Sequence, residues 1–137
     1  MFIMEKNSFK LLNIVLVESS FKRAIHIDFS NKNLKNNIDI DIQNSINENI
    51  LGVTLTLKFN TSIEKEIVIS SEIKMAGNFE FTKNTNISLD DFGNINAPAI
   101  IFPFIREHLS NTSMKAGIQP ILLPPINFVD LAKKKKK

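Results

Sequence analysis

The chain has 137 residues, enough for one domain with its own core and too few for two. It contains no cysteine, which removes catalytic thiols, thiolate metal sites and disulfide frameworks from consideration and fits a reducing compartment. The formal net charge of +3 comes from the run Lys133 to Lys137; without that run the balance is mildly acidic, which argues against a basic nucleic-acid face on the folded body.

In chain order, the N-terminal residues from Met1 to Asn7 lack a cationic start followed by a long apolar run, and Glu5 interrupts the short one. The expectation is therefore no secretory signal, no membrane insertion and a cytoplasmic location. Ser8 to Ala24 reads as a long strand that is apolar on both faces, with Leu11, Val15 and Val17 on one side and Leu12, Ile14 and Leu16 on the other. An antiparallel sheet with one wet face should alternate, so a second layer is expected over this strand: a helix, another subunit or a bound client. Ile25 to Asn37 has no period and is expected to be a crossover connection, whose apolar side chains either plug the core or bind. Ile38 to Ile42 alternates with acids, and Asn44 to Asn49 supplies turn chemistry. Val53 to Phe59 and Ile67 to Met75 alternate in the same way, with a turn expected at Asn60-Thr61-Ser62. Ala76-Gly77-Asn78 is expected to bulge or bend before Phe79 and Phe81, which continue the edge up to a polar loop.

The helical pattern comes afterwards. Asn96 is the expected N-cap, and Pro98 and Pro103 place the first full turn near Phe102, after a looser lead-in. Ile101, Phe104, Ile105 and Leu109 form the expected apolar stripe, with Ile100 and Phe102 pointing elsewhere. Gly117, preceded by the cationic Lys115, ends the helix. A proline-punctuated apolar strap follows from Pro120 to Phe128. Four strands followed by helices give an α+β class: a four-stranded antiparallel Greek-key or meander sheet with one long helix and a short C-terminal one.

Three separate motifs carry a resemblance. Phe102-Pro103-Phe104-Ile105-Arg106-Glu107, then Gly117 and Pro120, then Pro125-Ile126-Asn127-Phe128 are similar in order and spacing to the signature of the SecB family of protein-export chaperones. Ser20-Phe21, the crossover, Asp39-Ile40-Asp41 and Glu72-Ile73 ahead of Gly77 and Phe79 follow the same family order, so the likeness runs from Phe9 to Leu131. It implies a single SecB-like domain over residues 1–132; the run 133–137 stands where the family has a polar, often acidic extension, and is expected to be a disordered basic tail. The likeness also implies a homotetramer built as a dimer of dimers, and ATP-independent holding of unfolded preproteins in apolar grooves, with no cofactor. Carried over residue by residue, the client-binding candidates are Ile27, Phe29, Leu34, Ile126 and Phe128, with Pro120 to Phe128 as groove wall. The interface candidates are Leu12, Ile14, Leu16, Phe104, Ile105 and Leu109.

The resemblance implies docking of the translocase motor SecA on acidic residues of the open sheet face, and here the chain departs from the pattern. Where the family's first strand ends Asp-x-Ser-Phe-Glu, this one ends Glu18-Ser19-Ser20-Phe21-Lys22; Glu72 keeps an acid, and Ser70 replaces an apolar residue. With Lys22 reversing a charge, Glu18, Lys22, Ser70 and Glu72 form a compromised SecA site, and a SecB-like chaperone dedicated to an antitoxin becomes the competing expectation. A small nucleic-acid module using the lysine tail is the alternative of a different class, though no stacking platform supports it. No enzyme is expected: His26 and His108 lack a second metal ligand, Asp39 and Asp41 alternate on a wet strand face, and no phosphate loop or nucleophile elbow occurs.

Overall fold

The computed structural model describes residues 9–82 and 87–135. The N-terminal stretch, the core of the polar loop at 83–86 and the last two lysines lie outside the described residues. Four long strands, β1 (Phe9–Arg23), β2 (Leu34–Asn47), β3 (Ile50–Ile63) and β4 (Glu66–Phe81), form one antiparallel sheet in the order β1-β4-β3-β2. β2, β3 and β4 are joined by hairpins, and β1 reaches its place beside β4 through the crossover, which makes a Greek key. α1 (Leu89–Asp91), a π-helical turn (Phe92–Asn96) and α2 (Ala97–Lys115) run on without a break and lie across one face; α3 (Phe128–Lys135) ends the described chain. The expected class, α+β with one long and one short helix, is the one observed.

The alternation on β3 and β4 builds the core. Leu51, Val53, Leu55, Leu57 and Phe59 pair with Phe79, Gly77, Met75, Ile73 and Ser71, all on the helix-covered face. Ile101, Phe102, Ile105 and Leu109 of α2 close over them. Gly77 is where α2 comes closest: a Cβ there would meet Ile101 Cδ1 at 3.0 Å and the Phe79 ring at 3.1 Å. β4 is not bulged at Ala76-Gly77-Asn78, and it lies in the centre of the sheet rather than at an edge. The glycine serves helix packing instead of a bend.

Three other expectations are corrected. The register of β1 slips twice against β4, between Leu11 and Asn13 and between Leu16 and Glu18. Each slip resets the alternation, so Leu11, Ile14 and Leu16 share the helix side while Val15 pairs with Ala76 on the open side. The doubly apolar appearance of β1 is in part the signature of two bulges. Asn60, Thr61 and Ser62 are strand residues: Asn60 bonds Asn37 across β2 at 3.2 Å, and Thr61 donates to Asn36 Oδ1 at 2.7 Å. The chain turns instead at Glu64-Lys65, both left-handed at φ 51° and 75°, the backbone of a type I′ hairpin.

Asn96 is a helical residue with no capping bond, and the helix begins eight residues earlier at Ser88, whose Oγ accepts from the Asp91 N–H at 3.0 Å. The π turn lets the run continue into Pro98. There the Ala97 N–H reaches Phe92 O, five residues back, at the point where a proline offers no donor.

Candidate functional site

Two walls of irregular chain stand beside the sheet. The first is the crossover 24–33, held by two side-chain turns: Asp28 Oδ1 accepts from the Ser30 N–H and hydroxyl at 3.1 and 2.6 Å, and Asn31 Oδ1 accepts from the Asn33 N–H at 2.8 Å. These bonds to Ser30 hold the Asp28 carboxyl below its ordinary range. The second is the strap after α2. The α2 C-terminus closes with Gly117 at φ 76°, its N–H on Met114 O at 3.0 Å, and the Ile118 N–H on Ser113 O at 3.3 Å, the pair of bonds of a Schellman stop. Buried Ser113 then accepts the Ile121 N–H at 2.9 Å, drawing the strap back over the helix. Leu123 plugs into the core, and Leu122, 78% exposed, is left outside.

Between the walls lies a groove of about 570 Å³. Phe29 and Leu34 line it from the crossover side, Ile38, Phe59 and Ile69 from the sheet, and residues 118–124 from the strap, with the Thr61–Asn36 bond as its polar point. Its lining is predominantly apolar, with Phe29 and Leu122 left exposed.

The five client-binding candidates divide. Phe29 and Leu34 meet in this groove. Ile27 packs at the edge of the core instead. Ile126 and Phe128 border a shallower depression of about 460 Å³ with Ile95, Ala99 and Val129. Phe128 is itself 5% exposed and packs edge-to-face on Phe102, with centroids 5.7 Å apart. Ile38, Phe59 and Ile69 were absent from the sequence reading of the groove. They belong to ordinary alternating strands, and only the three-dimensional meeting of crossover and strap marks their ends as groove floor.

Among the interface candidates, Leu12 and Leu16 lie exposed on β1, an edge strand, beside exposed Leu11, Val15 and Val17; Ile14 is half-buried. Ile105 and Leu109 are wholly buried in the chain's own core and offer no surface to a second copy, which corrects their assignment. Phe104 is 51% exposed, whereas Phe102, expected to point elsewhere, is in the core; the stripe is rotated by part of a turn. Ile100 and Phe104 share a helix line with His108, whose Nε2 lies 2.7 Å from Ser19 Oγ of β1, so this line follows the β1 edge.

Glu18, Lys22, Ser70 and Glu72 do come together on the open sheet face. Glu18 stands opposite Lys74, Ser20 opposite Glu72, and Lys22 opposite Ser70. Glu72 also faces Lys58, at 3.8 Å, and Lys58 faces Asp39. Lysines therefore alternate with acids across the strands. A hydrogen bond with Glu72, and next the repulsion of its charge, raise the Glu18 carboxyl above its ordinary 4.5, while Lys74 acts in the opposite sense. No described helix is long and apolar enough to cross a membrane.

Comparison with known proteins places the chain in a family. The family described as SecB, preprotein translocase subunit SecB, matches residues 4–137. The protein-export protein SecB of Cellvibrio japonicus is 31% identical over 123 residues, which cover 88% of this chain and 74% of that one. That of Rickettsia akari is 34% identical over 98 residues, covering 72% of this chain and 64% of its own length. A solved SecB-like chaperone of Mycobacterium tuberculosis, in complex with a ChAD peptide from the HigA1 antitoxin, superposes with a TM-score of 0.74 over 87% of this chain and 91% of that one; at 11% identity the shared property is the fold. The chain belongs to the SecB family of protein-export chaperones, which are not enzymes.

Proposed function

We propose that this protein holds unfolded preproteins in the cytoplasm, without nucleotide, by laying extended apolar segments into the groove between crossover and strap. The groove carries the reading: it is concave, apolar and open, and Phe29 and Leu122 in its lining are left exposed. Each Å² of client buried there contributes about 25 cal/mol, so one groove binds weakly and several copies in one assembly bind by avidity. The assembly is a homotetramer, a dimer of dimers, in which the β1 edge and the outer line of Ile100 and Phe104 meet a second copy. In the test, a stoichiometric excess of the protein suppresses light scattering by a refolding client, and Leu34→Asp abolishes the suppression while the circular dichroism spectrum is kept. Unchanged scattering with the wild-type protein contradicts the proposal.

A second reading has its own observation. Lys22, Lys58 and Lys74 compensate the acids of the open face, which weakens it as a dock for SecA and favours a dedicated antitoxin client, of the kind bound by the structurally similar mycobacterial chaperone. Capture of SecA against capture of an antitoxin encoded nearby separates the two. Lys22→Glu strengthens SecA capture if charge alone is at fault.

A further inference from the structure

One side chain touches the start of both groove walls. Arg23, the last residue of β1, donates from Nε to Ala24 O at 2.8 Å and from Nη2 to Ile25 O at 2.9 Å, the first carbonyls of the crossover. Its Nη1 donates to Ala116 O at 2.7 Å, the last carbonyl before the Gly117 stop and the strap. Among the described residues no hydrogen bond between the backbones of crossover and strap does this job: the backbone bond that anchors the crossover start runs to β4, from Ala24 N–H to Val68 O at 2.8 Å, and the strap's tether is Ser113 on its own helix. The guanidinium also suits the place. It is a planar fork able to serve three acceptors at once, and it sits at a helix C-terminus, where the backbone dipole favours a cation.

We infer that Arg23 is the positioning residue that couples the two walls, fixing the crossover and the strap to one point so that the groove keeps its width when no client is bound. This rests on the reading of the groove as the client site. A preset width lowers the ordering cost of binding and tunes which segments fit, because neither wall can swing away without breaking bonds that also hold the other. Lysine at this position keeps the charge near the helix end but offers a single ammonium in place of a fork, so it cannot hold all three carbonyls in their present geometry.

Hydrogen–deuterium exchange on the full chain, together with binding of a fluorescent apolar peptide, tests this. In Arg23→Lys the amides of residues 24–33 and 116–124 exchange faster together, by about tenfold, as expected for loss of hydrogen bonds to a charged donor, while β3 is unchanged. The peptide dissociates faster by a similar factor, and Arg23→Gln behaves alike or worse. Faster exchange in only one of the two segments overturns the coupling. Faster exchange in both with unchanged peptide dissociation overturns the role in setting the groove. Leu34→Asp in the presence of Arg23 serves as the control: if it leaves peptide binding intact, the groove reading has failed, whereas the exchange result still decides whether Arg23 couples the walls.

Discussion

Glu18 and Glu72 show how a single contact alters the open sheet face. Because Glu72 bonds and repels it, Glu18 titrates above its ordinary 4.5 in the folded chain. A raised carboxyl favours the protonated folded state, so its contribution to stability is fully present below 4.5 and is lost as pH rises through the raised value. At neutral pH the two carboxylates repel, and neighbouring Lys58 and Lys74 offset that repulsion. Carboxyl-carbon NMR titration is expected to place Glu18 above 4.5 in the wild type and to bring it down in Glu72→Ala; a Glu18 value that ignores the substitution refutes the pairing. The family resemblance placed the four candidate docking residues on the open sheet face. It did not reveal that Lys58 and Lys74 stand between the acids, since that depends on cross-strand register.

At the scale of elements, what was legible and what was not follow from the same physics. β3 and β4 declared themselves because each buries one face only, and Gly117 declared the helix end because its left-handed φ suits glycine. The hairpin turn hid because Asn60 and Thr61 look like turn residues yet satisfy their side chains against Asn37 and Asn36, while Glu64 and Lys65 take the turn without turn chemistry. Lys65→Gly should relieve that left-handed backbone and stabilise the fold by about 1 kcal/mol in denaturant unfolding; a loss of stability would show that the turn is not strained. Gly77→Ala should act in the opposite direction, by about 1–3 kcal/mol, because its methyl meets Ile101 and Phe79. The early helix start was concealed by two prolines, which the π turn and the exposed position of Pro103 accommodate. The bulges of β1 explain why its face assignment failed and why an apolar edge remains.

For the whole molecule, the fold divides into a covered sheet face that supplies the core, an open charged face, an apolar β1 edge and a groove at the far side where crossover and strap meet. Edge strands carrying Leu12, Val15, Leu16 and Val17 in the open associate unless they are covered. Leu16→Lys is therefore expected to lower the mass measured by multi-angle light scattering to that of a smaller assembly, and a wild type that is already monomeric would remove the tetramer from the proposal. The central claim is that clients lie in the groove between crossover and strap. It is tested most directly by methyl NMR with an unfolded client added. The expected result is perturbation of Leu34, Ile38, Ile121 and Leu122 with Leu12 and Leu16 unmoved, and perturbation confined to the β1 edge or the open face would contradict it.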